Sequence, residues 1–254
     1  MDVRFDNQVV VVTGASTGIG AAVARAFGAS GAKVVVHYNS SSAEAQQVAG
    51  DIDQSGGKAL LVQADVTDST QASVIIDQTL AYFGRIDVLV NNAGGLIKRS
   101  PVAEVADDVY DYIMQLNMTS LFQMCRQVIP VMERQGHGNI INVTSIAART
   151  GGGGGSVVYA TSKAAVATFT RGLGRELAAQ NIRVNAISPG VILTPFHDRY
   201  TEPERMKALV STIPMGRAGT SEECVGTVLF LASHTMSSYV TGQVIEVNGG
   251  MYTP

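Results

Sequence analysis

The sequence predicts an α/β fold in which a doubly wound (Rossmann) seven-stranded parallel sheet carries helices on both faces. Short runs rich in Val and Ile lack polar alternation, which is typical of strands buried on both faces. Segments with helical periodicity separate these runs, and parallel neighbours require such crossovers. The 254 residues show no change of composition that would mark a boundary. We therefore expect a single domain over residues 1–254.

The seven predicted strands follow in order along the chain as "QVVVVT", "KVVVHY", "KALLVQA", "IDVLVNN", "NIINVTS", "IRVNAIS" and "QVIEVNG". Helical segments such as "AAVARAFGAS" and "QASVIIDQTLAYFG" lie between them. After the second strand, Ser41-x-x-Glu44 matches a capping box and predicts a helix start.

Composition excludes several classes of function. A net charge of −3 with 15% charged residues gives no basic excess for nucleic acid or an anionic membrane. The start "MDVRFDNQ" lacks an apolar export segment, and no later run reaches ~18 apolar residues, so we expect a cytoplasmic protein. Cys125 and Cys224 lie in apolar helical patterns and are predicted to be reduced core thiols. The histidine spacing predicts no metal site.

Polar or glycine-rich sequences follow each of the first six predicted strands, where an α/β sheet binds its ligands. They are "TGASTGIG", "NSSS", "DVTD", "NNAG", "TSIAARTGGGGG" and "SPGVILTP". Gly14, Gly18 and Gly20 open a helix directly after the first strand, which allows a phosphate to approach free amides. Such a turn is also compatible with simple tight packing. Its place at the first strand favours a nucleotide site.

Tyr159 and Lys163 are four residues apart and therefore share one helix face. A phenol with a pKa of ~10 becomes a useful acid and base near neutrality only when a neighbouring charge lowers that pKa. Ser145 follows the fifth strand and could donate a hydrogen bond to a substrate oxygen. A lysine lying along an aromatic side chain is the structural alternative.

These motifs together resemble the short-chain dehydrogenase/reductase family over almost the whole chain. The matching stretches are Thr13-Gly14-x-x-x-Gly18-Ile19-Gly20, Asn91-Asn92-Ala93-Gly94, Asn117, Ser145, Tyr159-x-x-x-Lys163 and Pro189-Gly190. The resemblance implies that Tyr159 is the general acid and base, and that Lys163 lowers its pKa and binds the nicotinamide ribose. It further implies that Ser145 orients the carbonyl and that Asn117 holds a water in a proton relay.

A nicotinamide cofactor follows from the same resemblance. The residues expected to bind it are Gly14, Ser16, Thr17, Gly18, Ile19, Gly20, Tyr38, Asn39, Ser40, Asp65, Val66, Asn91, Ala93, Gly94, Tyr159, Lys163, Pro189, Gly190, Ile192 and Thr194. Family members that prefer NAD usually carry a carboxylate where this chain has Tyr38, so nothing repels a 2′-phosphate and NADP is expected. Against this, "HYNSSS" holds no Arg or Lys and Thr17 replaces a residue that is often basic in NADP-dependent relatives. NAD remains the alternative.

The substrate is expected to be a polar carbonyl or alcohol compound. The segments "NNAGGLIKRS", "SIAARTGGGGG", "TPFHD" and "IPMGRAGT" resemble bacterial members of the family that act on sugars and keto-uronic acids, including those from alginate breakdown. Lys98, Arg99, Arg149 and His197 could receive a carboxylate there, under a covering segment at 195–215. Solvated surface charge is the alternative for each of them.

Two other functions stay open. The pattern also resembles 3-oxoacyl-acyl-carrier-protein reductase: Arg175 matches one of its two carrier-binding arginines, whereas Gly136 replaces the other. A catalytically inactive nucleotide-binding scaffold on the same fold is the alternative of a different class. The apolar helices at 120–132 and 157–170 resemble those that pack between subunits in the family, so a homotetramer is expected.

Five consecutive glycines occupy 151–155, and fourteen positions separate Ser145 from Tyr159 where many family members have thirteen. The extra residue suggests a longer loop over the reacting centre. Its glycines either leave side-chain volume free for a bulky or polar substrate, or make a permissive loop without a role. A linker between two domains is the third interpretation.

Overall fold

The computed structural model describes residues 3–254 and contains the predicted sheet. The strands are β1 (Val9–Val12), β2 (Lys33–Tyr38), β3 (Lys58–Gln63), β4 (Val88–Asn91), β5 (Gly138–Val143), β6 (Ile182–Pro189) and β7 (Val244–Val247). They pair in the order β3-β2-β1-β4-β5-β6-β7, and each pairing is parallel. The predicted doubly wound fold is confirmed. Strands on both sides of the glycine run share one sheet, so the interdomain-linker interpretation is wrong.

Eleven α-helices lie within the described residues. They are α1 (Gly18–Ala29), α2 (Ser42–Gln54), α3 (Ser69–Phe83), α4 (Asp107–Met114), α5 (Ser120–Gln135), α6 (Ala147–Thr150), α7 (Val157–Glu176), α8 (Pro195–Tyr200), α9 (Pro203–Ser211), α10 (Ser221–Ala232) and α11 (His234–Ser237). Single 3₁₀ turns occupy Val102–Glu104 and Ala178–Gln180. A π-turn at Gln115–Thr119 joins α4 to α5.

Two apolar cores cover the two faces of the sheet. Successive residues of β1 point to opposite faces, so Val10 packs with α1, α2 and α10 in one core, whereas Val11 packs with α3, α5 and α7 in the other. All four residues of β1 are fully buried. This double burial explains why the strands lack polar alternation.

The helix start after β2 differs from its prediction. Ser41 does precede α2, but its side chain makes no capping hydrogen bond, so the predicted capping box with Glu44 is wrong. Ser41 has a ψ of 68°, outside the extended region of most N-caps, and it lines the cavity described below. A capping box forms instead at α10, where the Thr220 amide donates to Glu223 Oε2 over 2.9 Å.

Both cysteines are free and buried, as predicted for core thiols. Burial raises the pKa of Cys125 and that of Cys224 to about 12, which keeps both sulfurs protonated. Among residues 3–254, no helix is long and apolar enough to cross a membrane.

A buried carboxylate ties three strands together at the end of the sheet opposite the ligand edge. Asp87, 4% exposed, precedes β4 and accepts a 2.8 Å hydrogen bond from the Val9 amide of β1. Arg85 donates to the same carboxylate through two nitrogens, the shorter contact being 2.6 Å. His137 Nε2 lies 3.0 Å from it, just before β5. Asp87 therefore fixes the positions of β1, β4 and β5 relative to one another along the strand direction.

We expect Asp87→Ala to reduce the free energy of unfolding by ~3 kcal/mol, because it leaves the buried Val9 amide and the Arg85 guanidinium without their acceptor. The value lies at the low end for a broken buried pair because Arg85 and His137 are about half exposed. Urea unfolding measures this change in the free energy of unfolding. Asp77→Ala, which removes an exposed carboxylate from α3, is the matched control and should change stability little. Equal losses in both variants would contradict the role of Asp87.

Candidate active site

A cavity of about 540 Å³ opens along the carboxyl ends of the strands. Loops after β1 to β6 contribute to it, together with α8 and α9. Of the expected catalytic and cofactor residues, those that line it are Gly14, Ser16, Thr17, Gly18, Ile19, Asn39, Ser40, Asp65, Val66, Ala93, Gly94, Ser145, Tyr159, Lys163, Pro189, Gly190, Ile192 and Thr194. Polar sequences from separate parts of the chain thus meet at one edge of the sheet.

The glycine-rich turn after β1 forms the floor of one end. Gly14 and Gly18 have φ of +61° and +56°, a region that favours glycine. A Cβ on Gly14 would lie 3.0 Å from Ala93 Cα, so the two loops are in close contact. Gly20 does not face the cavity: a Cβ there would overlap the Gly14 carbonyl and the Asn92 side chain. In this structure Gly20 therefore allows α1 to pack against the turn, and its expected role in binding cofactor stays a prediction.

The start of α1 fits the diphosphate of a dinucleotide. Thr17 precedes the helix without a capping side chain, and the first turn carries no acidic residue. The first amides of α1 thus have no side-chain acceptor, and the helix dipole favours an anion beside them. A nicotinamide dinucleotide bound here would supply or accept a hydride.

His37 supports this turn from below, although it was not among the site residues expected from the sequence. Its Nδ1 accepts a 3.0 Å hydrogen bond from the Gly14 amide, and its Nε2 lies 3.0 Å from the Ala64 carbonyl oxygen. A neutral imidazole with its proton on Nε2 satisfies both contacts. Burial lowers the pKa of His37, while the hydrogen bond to Ala64 and the charge of Asp65 oppose that change. The one sequence feature that could have pointed to His37 is a histidine next to the apolar run of the second predicted strand.

Two other expected cofactor residues are placed differently. Tyr38, the last residue of β2, packs against the apolar core, and the side chains that line the cavity at this point are Asn39, Ser40 and Ser41. Asn91 is 4% exposed and donates to Asn142 Oδ1 over 3.0 Å in the interior. Both side chains lie over a face of the sheet, because the side chains of a strand point alternately to its two faces, and neither lines the cavity.

The residues matched to catalytic motifs converge at the other end of the cavity. Ser145 follows β5, while Tyr159 and Lys163 lie on α7. Ser145 Oγ accepts a 3.1 Å hydrogen bond from the Ala147 amide, which orients the hydroxyl. The Phe196 ring of α8 lies 5.8 Å from the Tyr159 ring, centroid to centroid, and covers it. A phenol and a hydroxyl so placed can both reach one carbonyl oxygen.

The charge acting on Tyr159 differs from the expectation. Burial raises the pKa of Tyr159 to about 12, whereas hydrogen bonding with Ser145 and the positive charge of Arg99 lower it. Lys163 Nζ lies 6.0 Å from the tyrosine ring centre and donates to the Val143 carbonyl over 2.8 Å. Burial lowers the pKa of Lys163 to about 8. Ser145 and Arg99 are therefore the groups that lower the pKa of the phenol in this structure, and the expected effect of Lys163 stays a prediction.

Asn117 lies on the π-turn between α4 and α5 and is 1% exposed. Its amide nitrogen donates to the Gly95 and Ile113 carbonyls over 2.8 and 2.9 Å, and its Oδ1 accepts from the Gly95 amide over 3.0 Å. A Cβ on Gly94 would lie 2.7 Å from Asn117 Oδ1 and 3.0 Å from Lys163 Nζ. Asn117 thus lies behind the cavity wall, where it fixes the loop after β4 beside the lysine.

The glycine run is packed against charged side chains. A Cβ on Gly154 would overlap the Arg205 guanidinium, and one on Gly155 would lie 2.7 Å from the Ser100 amide nitrogen. Both glycines have positive φ, +51° and +78°. Neither expected interpretation describes these two positions, because the absent side chains make room for protein atoms of neighbouring loops.

The four basic side chains expected around the substrate mouth separate into two groups. Arg99 and His197 line the cavity, whereas Lys98 is exposed outside it. Arg149 points away: its Nε lies 2.9 Å from Glu246 Oε1, and its guanidinium lies over Tyr252. The ion pair with Glu246 of β7 thus holds Arg149 outside the cavity. Arg205, which the sequence did not single out, lines the cavity instead.

Comparisons with known proteins agree with this fold. A family model described as enoyl-(acyl carrier protein) reductase matches residues 14–252. A 3-oxoacyl-[acyl-carrier-protein] reductase from Synechocystis sp. is 41% identical, with 96% of each chain covered. A 3β-hydroxysteroid dehydrogenase from Eggerthella lenta is 38% identical, with 96% of this chain and 93% of that protein covered.

A solved NADH-dependent reductase responsible for alginate metabolism superposes with a TM-score of 0.89 at 34% identity, over 100% of this chain and 99% of that one. A 7α-hydroxysteroid dehydrogenase bound to NADH and a 7-oxo bile acid gives 0.92 at 34% identity, over 98% and 96%. The chain belongs to the short-chain dehydrogenase/reductase family. It is an oxidoreductase of that family, and the relatives support a nicotinamide cofactor.

His37→Leu should weaken cofactor affinity about tenfold, because the Gly14 amide loses its acceptor in a buried place. His37→Asn should lose less cofactor affinity, since the asparagine Oδ1 can replace the histidine Nδ1 as acceptor for the Gly14 amide. Fluorescence titration with NADPH and NADH measures both variants without turnover. Unchanged affinity in His37→Leu would mean that the turn holds its shape without the imidazole.

The same histidine predicts a pH dependence of stability. The folded pKa of His37 lies below the ordinary value of 6.5, so the unfolded chain binds more protons in that interval. The contribution to stability is present above about pH 6.5 and is lost as pH falls through the folded pKa. Urea unfolding from pH 7.5 to 5 should show a smaller loss for His37→Leu than for the unchanged protein. Parallel curves would contradict the prediction.

Proposed function

We propose that the protein is an NADP(H)-dependent carbonyl reductase for a polar small molecule, a sugar or keto-uronic acid. The observation that carries this proposal is the convergence of Ser145, Tyr159 and Lys163 on a cavity whose substrate end is lined by Arg99 and His197. A reacting carbonyl placed there meets a hydroxyl, a phenol and positive charge. The likeness to the alginate-metabolism reductase supports the substrate class.

In this proposal Tyr159 donates a proton to the carbonyl oxygen, and Ser145 holds that oxygen by a hydrogen bond. The protonated phenol is the form that reduction requires, and burial favours it. Lys163 binds the ribose of the cofactor with its ammonium. Asn117 acts through the loop after β4, whose Gly95 it holds on both backbone groups.

NADP is proposed over NAD because the side chains that line the cavity after β2 are Asn39, Ser40 and Ser41, none of them acidic. Three polar, uncharged side chains can hydrogen bond a 2′-phosphate without repelling it. The alginate-metabolism reductase is described as NADH-dependent, so direct comparison of the two cofactors is required.

A second candidate function is reduction of a 3-oxoacyl carrier thioester. The 41% identity to the Synechocystis reductase over 96% of the chain favours it. Arg175 is exposed near the end of α7, where a carrier protein could reach it. Gly136 ends α5 with a φ of +73°, so the second carrier-binding position has no cation.

The proposed assembly is a homotetramer. Phe122 of α5 and Val157 of α7 are 41% and 45% exposed, and the Phe122 ring contacts that of Phe169. These side chains form an apolar surface that a second copy of the chain would cover. Light scattering at micromolar concentration tests it, and a monomer would contradict it.

One purified sample screened with NADPH and NADH against keto-uronates, aldoses and acetoacetyl thioesters tests the function. We expect the highest kcat/KM with a keto-uronate and NADPH. A far higher value with the thioester would establish the second candidate function. No turnover with any carbonyl compound, together with tight cofactor binding, would favour the non-catalytic scaffold.

Tyr159→Phe should retain cofactor affinity while kcat falls at least ~10²-fold, as expected for loss of a general acid. Stopped-flow turnover and NADPH fluorescence titration separate the two effects. Near-normal turnover would exclude Tyr159 as proton donor.

Asn39→Asp should shift preference toward NADH, because a carboxylate at the cavity repels a 2′-phosphate and binds a ribose diol. Tyr38→Asp is the matched control, since that side chain packs against the core. The ratio of kcat/KM for the two cofactors measures the shift. If the unchanged protein already prefers NADH, the proposed cofactor is wrong.

A further inference from the structure

The charges that line the substrate end of the cavity are all positive. They are Arg99, Lys163, Arg199 and Arg205. Among the described residues that line the cavity, the only carboxylate is Asp65. It follows β3 at the far edge of the sheet, whereas Ser145 follows β5. A cavity lined by one sign of charge attracts a ligand of the opposite sign.

Two of these arginines reach one main-chain oxygen from different parts of the chain. Arg99, in the loop after β4, donates through Nη1 to the Gly153 carbonyl over 3.2 Å. Arg205, on α9, donates through Nη2 to the same oxygen over 2.8 Å. Arg99 Nε also donates to the Tyr200 carbonyl at the end of α8 over 2.7 Å. The two guanidinium groups therefore lie side by side beneath α8 and α9.

Neither guanidinium has a carboxylate partner among the described residues. The acceptors of both are main-chain carbonyls, and Arg205 Nε is buried without any acceptor. Burial and the neighbouring charge of Arg205 lower the pKa of Arg99. Two adjacent cations with unused donors are a costly arrangement that an anion between them would relieve.

The glycine run is built around this pair. Any side chain at 154 would overlap the Arg205 guanidinium. At 151, by contrast, φ is +78° but a Cβ would meet nothing within 4 Å. The two positions thus share a conformation that favours glycine, and only one of them makes room for an arginine.

We propose that Arg99 and Arg205 together bind a carboxylate of the substrate, with α9 bringing Arg205 to the site. This inference rests on the proposed function and names the anionic group that the reductase recognises. Guanidinium groups match the planar geometry of a carboxylate through paired N–H donors. A carboxylate here also offsets the effect of Arg99 on Tyr159, which keeps the phenol protonated for donation to the carbonyl.

Calorimetric titration of the full chain with D-glucuronate and with its methyl ester tests the proposal without turnover. We expect the acid to bind at least about tenfold more tightly than the ester. Arg205→Met should weaken binding of the acid about 10- to 100-fold and leave the ester within about twofold. Lys207→Met removes an exposed charge from the same helix and should change neither.

A second pair of variants tests the site even if Arg205→Met disturbs folding. Gly154→Ala displaces the guanidinium and should weaken binding of the acid as Arg205→Met does. Gly151→Ala imposes similar backbone strain without touching an arginine and should retain binding of the acid. Equal losses in the two alanine variants would overturn the role of Arg205.

The remaining outcomes separate this inference from the proposed function. Equal affinity of the unchanged protein for acid and ester overturns the carboxylate site, even if carbonyl compounds are reduced. Tighter binding of D-glucose 6-phosphate than of D-glucuronate overturns the assignment to a carboxylate. Selective binding of the acid, lost in Arg205→Met, supports the site even if no carbonyl compound is reduced, in which case the proposed function alone fails.

Discussion

The contact between the turn after β1 and the loop after β4 sets the shape of the whole ligand edge. Thr13 Oγ1 accepts hydrogen bonds of 3.0 Å from the amides of Asn92 and Ala93. The Asn92 side chain returns two bonds of 2.9 Å, to the carbonyls of Thr13 and Gly14. Four hydrogen bonds thus join two central strands at the point where both end. These bonds hold the two loops against each other in the wall of the cavity.

Glycine serves two different needs along this edge. At Gly20 the start of α1 approaches the Gly14 carbonyl so closely that no Cβ fits, and at Gly14 a Cβ would lie in tight contact with Ala93. At Gly154 the space is taken by an arginine from a distant helix. Both sets look alike in sequence, since each is a glycine-rich stretch after a strand. What fills the space is decided by which element folds over it.

Burial and charge have opposite effects on the Tyr159 phenol. Removal of water raises the pKa of Tyr159, and Arg99 opposes that effect from the loop after β4. Lys163 is kept near Val143 by its own hydrogen bond and loses part of its preference for the charged form through burial. The site therefore keeps its tyrosine protonated, and positive charge at the substrate end compensates for the low polarity around it.

Local sequence determined the seven strands, the sites of the glycine turns and the helix that carries Tyr159 and Lys163. Hydrophobic periodicity and residue spacing act over a few residues, so they can be read from one chain. Placement of Tyr38, Arg149 and Arg205 was decided only by tertiary structure. Tyr38 packs against the core that α1, α2 and α10 form with the sheet, and Arg149 pairs with Glu246, 97 residues away along the chain. Arg205 reaches Gly153 across 52 residues. Contacts at such separations depend on how helices close over the sheet, which no local pattern records.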